Sequence, residues 1–332
     1  MNSLASRGTV LITGANGFIG SRLCRTFLAD GFHVIAGVRQ TADLTLLQDV
    51  AVEFRHGDLA SAETLAPMVS AVDYVVHNAG LVKAKTHQQF FDANETGTRN
   101  LFDAIMKANP TVKKVVYISS LAAAGPSMNG HAVAESDPPH PITVYGQSKL
   151  AGERICLEKK DRLNVVVVRP PAVYGPGDRE MLTVFKTVNN RIRPCFGNTR
   201  RRLQLVHVDD LCRGILAATV ANTVSGSLYF VAENRSYSMS ELITLLEEAC
   251  ERRGFPLYVP SWLFRIIASI SEYTLRLVGI TPMLTREKAG ELLASWEVAT
   301  DRARNELAFE SQIPFPVGAK QTFDWYRTHR WL

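Results

Sequence analysis

Short apolar runs alternate with helical periodicity along the first half of the chain. The runs fall at residues 10–13, 33–38, 52–54, 72–77, 112–118 and 163–168. All are too short for a helix, and most are too continuously apolar for a strand with one wet face. This predicts strands buried on both sides of a parallel sheet. Between the runs, a loop at 14–20 enters a helix reaching about Asp30, and Gly31 ends it. Ser61, ahead of Glu63 and Leu65, marks another helix start. Helices are also predicted over 97–108, stopping before Pro110, and over 144–158, where Leu150, Arg154 and Leu157 recur at helical spacing. The opening β–loop–α–β succession has the length a right-handed parallel crossover needs.

After Arg169 the pattern changes. RPPAVYGPGD holds too much proline and glycine for a regular element. Helical segments then dominate, at 182–190, 209–221, 240–253 and 285–291, with short strands at 204–207 and 227–231. The expected fold is α/β: a doubly wound parallel sheet over residues 1–169 and a smaller, mostly helical lobe over 170–332, from which segments such as 204–231 return to the core. The stretch 262–280, WLFRIIASISEYTLRLVGI, is interrupted by Arg265, Glu272 and Arg276, which argues against a membrane span. It reads first as a core-facing helix. Lining an apolar pocket, touching a membrane surface and forming an oligomer face are its other readings.

Composition narrows the field. Of 332 residues, 46% are hydrophobic and 21% charged, so nothing argues for disorder. The net charge of +5 is mild, and its densest cluster, Arg200, Arg201 and Arg202, reads as a solvated loop and not as a nucleic-acid patch. Cys24, Cys156, Cys195, Cys212 and Cys250 form neither a disulfide framework nor a metal knuckle, and no metal is expected. The opening MNSLASRGTVLITG has no apolar leader, so a cytoplasmic location is expected.

The chemistry begins at TGANGFIG. Gly14, Gly17 and Gly20 lie between a strand and a helix, where one glycine allows a tight turn, one lets backbone N–H groups approach a pyrophosphate, and one allows close helix packing. Asn16, Phe18 and Ile19 complete the dinucleotide loop. Val38 stands where a carboxylate would bind a ribose 2′-OH, and Arg39 follows. A guanidinium pairs well with a 2′-phosphate, so NADP(H) is expected over NAD(H). Asp58 and Leu59, after the third strand, would border the adenine. In YGQSK, Tyr145 and Lys149 share a helix face. A phenol can exchange the proton when an alcohol and a carbonyl interconvert, and a nearby ammonium favours its phenolate. A serine from the strand end Ser119–Ser120 would hold the substrate oxygen beside it.

The ordered set TGANGFIG, HGDL, HNAG, NETGT, YISS, YGQSK, RPPAVYGPGD and HVDDL resembles the extended short-chain dehydrogenase/reductase family over the whole chain. The resemblance implies a Rossmann domain with a C-terminal substrate domain, and Ser120, Tyr145 and Lys149 as catalytic residues. It places Asn78, Ala79 and Gly80 near the cofactor and Pro170 to Val173 beside the nicotinamide. Asn94 becomes a structural or relay residue, His207 a packing residue, and Asp209 and Asp210 caps. The family often forms homodimers.

Val38–Arg39 and the C-terminal segments resemble the 3β-hydroxysteroid dehydrogenase and dihydroflavonol reductase branch. That implies an NADP(H)-dependent oxidoreductase acting on a hydroxyl or ketone of a largely apolar molecule. LAAAG after Ser120 lacks the carboxylate of sugar-nucleotide dehydratases, and Ala124 stands where epimerases often carry tyrosine. Arg202, which could contact a substrate phosphate, keeps open a nucleotide-sugar epimerase with tightly bound NAD. A non-catalytic dinucleotide sensor is the third reading.

Overall fold

In the computed structural model, which describes residues 7–277 and 284–332, the six apolar runs become β1 (Thr9–Thr13), β2 (His33–Val38), β3 (Glu53–His56), β4 (Tyr74–His77), β5 (Lys114–Ile118) and β6 (Val165–Arg169). The helices among them are α1 (Phe18–Ala29), α2 (Leu65–Val69), α3 (His87–Phe91), α4 (Gly97–Ala108), α5 (Leu121–Ala124) and α6 (Val144–Glu158). The second half adds β7 (Ala172–Tyr174), β8 (Ile192–Phe196), β9 (Arg202–His207), β10 (Ser227–Phe230), β11 (Ser236–Ser238) and β12 (Phe255–Val259). Its helices are α7 (Leu182–Asn189), α8 (Val208–Val220), α9 (Met239–Ala249), α10 (Ser261–Leu277), α11 (Arg286–Leu293), α12 (Asp301–Leu307) and α13 (Phe315–Thr328).

Seven strands form one parallel sheet in the order β10-β6-β5-β4-β1-β2-β3. Alternation along β1 divides the core between its two faces. Val10 and Ile12 pack with Phe27, Leu211 and Ile215 on one side. Leu11, opposite Ile35 and Val75, packs with Val69, Leu101 and Ile105 on the other. The outermost strand β3 is mostly exposed, and Glu53 on it binds His33 at 2.9 Å and Arg55 at 2.7 Å. Charges of this kind discourage further strand pairing at an edge.

The second half departs from its sequence pattern. Of the strands foreseen at 204–207 and 227–231, only the latter reaches the main sheet, as β10 paired with β6. The former is β9, which lies between β7 and β11 in a separate three-stranded sheet. Pro170 and Pro171 turn the chain away after β6, so β7 starts a new sheet and recruits β9. Helix α9 ends earlier than its apolar periodicity implied, at Ala249, because Glu251 takes a left-handed φ of 53°. The short strands β8, β11 and β12 carry no clear alternation and were not foreseen.

Helix α10 covers most of the 262–280 stretch, and residues 278–280 lie outside the described residues. Phe264 and Ala268 pack inward with Ala289, and Phe264 stacks on Phe196 at 4.7 Å. Trp262, Ile266, Ile270 and Tyr273 face outward and are exposed. Among the described residues no helix is long and apolar enough to cross a membrane.

Candidate active site

The C-terminal ends of β1 and β4 meet where the strand order reverses, the usual crevice of an open α/β sheet. Gly14 leaves β1 with φ 64°, and a methyl group on it would lie 2.8 Å from the Ala79 Cα. A methyl on Gly20 would lie 2.1 Å from the Gly14 carbonyl oxygen, so α1 can start this close to β1 only with glycine there. Gly17 is the N-cap of α1, with no side-chain cap and no acidic residue in the first turn. The first N–H groups of α1 therefore remain open to an anion. Phe18 and Ile19 pack against the core beneath the loop, and Asn16 Nδ2 donates to the Asp43 carbonyl at 3.2 Å. This cradle fits the pyrophosphate of a dinucleotide.

The loop after β4 is fixed from both sides. Asn78 Nδ2 donates to the Gly14 carbonyl at 3.3 Å, and the Ala79 N–H donates to Thr13 Oγ1 at 3.1 Å. Asn94 lies in a π-helical turn, Asp92–Thr96, which turns its side chain inward. It accepts from the Leu81 N–H at 2.9 Å and donates to Leu81 O and Ser148 Oγ. A buried chain that the sequence did not reveal joins these parts: Thr13 Oγ1 to His77 Nδ1 at 2.9 Å, and His77 Nε2 to Thr98 Oγ1 at 3.1 Å. Thr98 donates to Asn94 O, so His77 must donate from Nε2 and accept at Nδ1. Burial, aided by the Lys149 charge, pushes His77 down to about 3, so it stays neutral.

Ser120, Tyr145 and Lys149 converge at the end of β5. Ser120 caps α5, accepting from the Ala122 N–H at 3.1 Å, and its hydroxyl stands close enough to Tyr145 to favour the phenolate. Thr143 caps α6 through the Gly146 N–H, setting Tyr145 in the first turn with its ring 6.1 Å from that of Phe90. Lys149, one turn on, donates to the Ile118 carbonyl at 2.7 Å and lies 4.4 Å from the Tyr117 ring centre. A methyl on Gly80 would come within 3.6 Å of Lys149 Nζ, so the cofactor-side loop borders the ammonium. Burial pushes Tyr145 up to about 12, opposed by Ser120 and assisted by Glu291. It pushes Lys149 down to about 8. Burial thus favours the protonated phenol, with Lys149 one turn further along the same helix.

The other foreseen residues divide. Pro170 O accepts from the Leu121 N–H at 2.7 Å, beside the serine strand end, and Val173 follows on β7. Asp58 closes a turn through the Ala60 N–H, and Leu59 lies under Gly97. Capping of α8 falls to His207, whose Nδ1 accepts from the Asp209 N–H, and not to the aspartates. Asp210 instead anchors the Gln312 and Ile313 N–H groups. Arg202 is held by Glu297 at 2.8 Å and by Ser236. Arg265 and Arg286 are the arginines facing a cavity of about 510 Å³, together with Ile142, Glu287, Gly290 and Leu293. The cavity adjoins α6, since Glu287 accepts from the Val144 N–H at 3.1 Å.

A family model described as the NAD dependent epimerase/dehydratase family matches residues 10–232. A ceramide reductase of Caulobacter vibrioides is 28% identical, covering 98% of this chain and 97% of its own. A UDP-glucose 4-epimerase of Vibrio cholerae is 25% identical over 95% of this chain and 94% of its own. MoeE5, solved with UDP-glucuronic acid and NAD, shares the fold at a TM-score of 0.76 and 24% identity, covering 98% of this chain and all of its own (100%). The relatives thus span more than one branch, and the steroid and flavonoid branch is not singled out.

Two expectations are overturned. Solved structures of this fold with a dinucleotide named, MoeE5, a Bacillus cereus UDP-glucuronic acid 4-epimerase and DesIV, hold NAD, against the NADP(H) inferred from Arg39. Arg39 is exposed, and among the described residues its guanidinium has no partner that would fix it for a 2′-phosphate. The apolar substrate fails likewise, because MoeE5 holds UDP-glucuronic acid or UDP-glucose. The apolar residues of α10 point to the core or to solvent, and the helix turns Arg265 to the cavity. The expected homodimer finds no support in these comparisons.

Proposed function

The chain belongs to the NAD dependent epimerase/dehydratase family, and from that membership we propose that it is a nucleotide-sugar epimerase working with tightly bound NAD. The observation that carries this reading is the cavity beside α6 with Arg265 and Arg286 on its wall. Two guanidinium groups at one cavity match a diphosphate, which an apolar alcohol would leave unpaired. The absence of a carboxylate after Ser120 favours epimerisation over dehydration. Bound NAD would supply a hydride acceptor and, on its nicotinamide, a positive charge. Ser120 would hold the reacting oxygen, Tyr145, as the phenolate that Lys149 and the positive nicotinamide would favour, would take its proton in the oxidising half and return it in the reducing half, and Lys149 would hold the ribose.

The test is calorimetric titration with UDP and UDP-glucose, alongside identification of any cofactor released on denaturation. NAD should be released, UDP should bind, and the double change Arg265→Ala/Arg286→Ala should weaken UDP about 100-fold. No binding of UDP or its sugars by a cofactor-loaded protein would overturn the reading.

The pH profile follows from Lys149. Its ammonium is present below a value of about 8 and lost above it. We expect kcat to fall on the alkaline side with an apparent midpoint near this value, and Lys149→Arg to remove that limb, because a guanidinium does not titrate in this range.

A further inference from the structure

One buried cluster beside the site has no part in the scheme above. Glu153 follows Lys149 by one turn on α6, so Tyr145, Lys149 and Glu153 share a helix face. Its side chain is 1% exposed, and its two oxygens bind Arg169 Nε at 2.8 Å and Nη2 at 2.6 Å. Glu153 also accepts a short hydrogen bond from Ser119. Arg169 ends β6 and precedes Pro170, and Ser119 precedes Ser120 at the end of β5. A single carboxylate therefore ties together the three elements that carry the candidate catalytic groups. A fully buried charge pair of this kind is weak evidence for stability, because desolvation offsets most of the attraction.

We infer that Glu153 is a positioning residue for the reaction: it clamps α6 to the ends of β5 and β6 and places a carboxylate one helical turn from Lys149. Each element around Lys149 contributes to the balance. From α6 come Glu153, Cys156 and Tyr145. From β5 come the Ile118 carbonyl and the Tyr117 ring. From β4 comes His77, which stays neutral, and from β6 comes the Arg169 guanidinium. Glu153 and Cys156 favour the ammonium against its burial. Cys156 and Tyr117 are buried with their own proton loss pushed well up, so the carboxylate paired with Arg169 is the acidic side chain nearest to Lys149 along α6. Without it, the Arg169 guanidinium would be left buried and unpaired on the side of α6 that carries Lys149.

The inference rests on the reading of Tyr145 and Lys149 as the reacting pair, and pH profiles of kcat test it with variants that differ in charge and reach. Glu153→Gln keeps the shape and removes the charge, so the alkaline limb should move about one pH unit lower. Glu153→Asp keeps the charge with a shorter arm, so the limb should stay in place while kcat falls. Glu153→Gln/Arg169→Gln removes both charges and should bring the limb back toward that of the wild type. If the first variant does not fold, the Asp and double variants still separate charge from packing. A limb unmoved in Glu153→Gln, or a kcat of Glu153→Asp equal to that of the wild type, would overturn the inference. Tyr145→Phe, measured in parallel, isolates the underlying reading: if that variant keeps turnover, the failure lies with the reacting pair and not with Glu153.

Discussion

Replacing Tyr145 with phenylalanine is expected to lower kcat by about 10²–10⁴-fold, the range general acid–base catalysis supplies, with the fold and cofactor binding intact. The change removes one oxygen. The ring would keep its place near Phe90. Ser120 would lose a partner but still accept from the Ala122 N–H, so no buried group is orphaned. What disappears is the proton that Tyr145, held up at about 12, retains for delivery. Thermal unfolding and NAD titration should match the wild type, while the chemical step collapses. Turnover within a few-fold of the wild type would show that another group moves the proton.

The sheet was legible because its inner strands are buried on both faces. Residues such as Val165–Arg169 and Val10–Ile12 leave no polar alternation to misread. The glycine loop was legible because sterics admit nothing else at Gly14 and Gly20. The Glu153–Arg169 pair was visible in part, since Glu153 stands four residues after Lys149, but its partner lies 16 residues on and meets it only through the β6 crossover. The His77 chain was hidden for the same reason, its partners being 64 and 21 residues away. Arg39 shows the opposite failure. A residue of the right charge stood at the right place in the sequence, but recognition of a 2′-phosphate also needs groups that hold the guanidinium still, and a linear pattern carries no sign of them. The core-facing reading of the apolar stretch at 262–280 held for Phe264 and Ala268, but its apolar-pocket reading failed because hydrophobicity does not say which side of a helix faces a cavity. Here that side presents Arg265.

Gly20→Ala is expected to abolish useful cofactor binding and to destabilise the empty protein as well. The added methyl would sit 2.1 Å from the Gly14 carbonyl oxygen and 2.8 Å from the Ala15 Cα. Both obstacles are backbone, so neither can rotate aside. Relief requires α1 to move off β1, which disturbs the packing of Leu23 and Phe27 in the core. Such overpacking costs about 1–3 kcal/mol. The same movement would carry the first N–H groups of α1 away from the phosphate position, and NAD affinity should fall at least about 100-fold, equivalent to the loss of roughly 2.7 kcal/mol. Gly17→Ala separates the two effects. Its φ of −81° suits any residue, and its methyl would meet only the Gly14 oxygen at 3.4 Å, an ordinary contact. That methyl would stand at the open N-cap, where the backbone must approach the pyrophosphate. Gly17→Ala should therefore unfold at the wild-type temperature and still bind NAD poorly, whereas Gly20→Ala should fail in both measurements. Wild-type affinity in Gly17→Ala would place the pyrophosphate elsewhere than on this helix terminus.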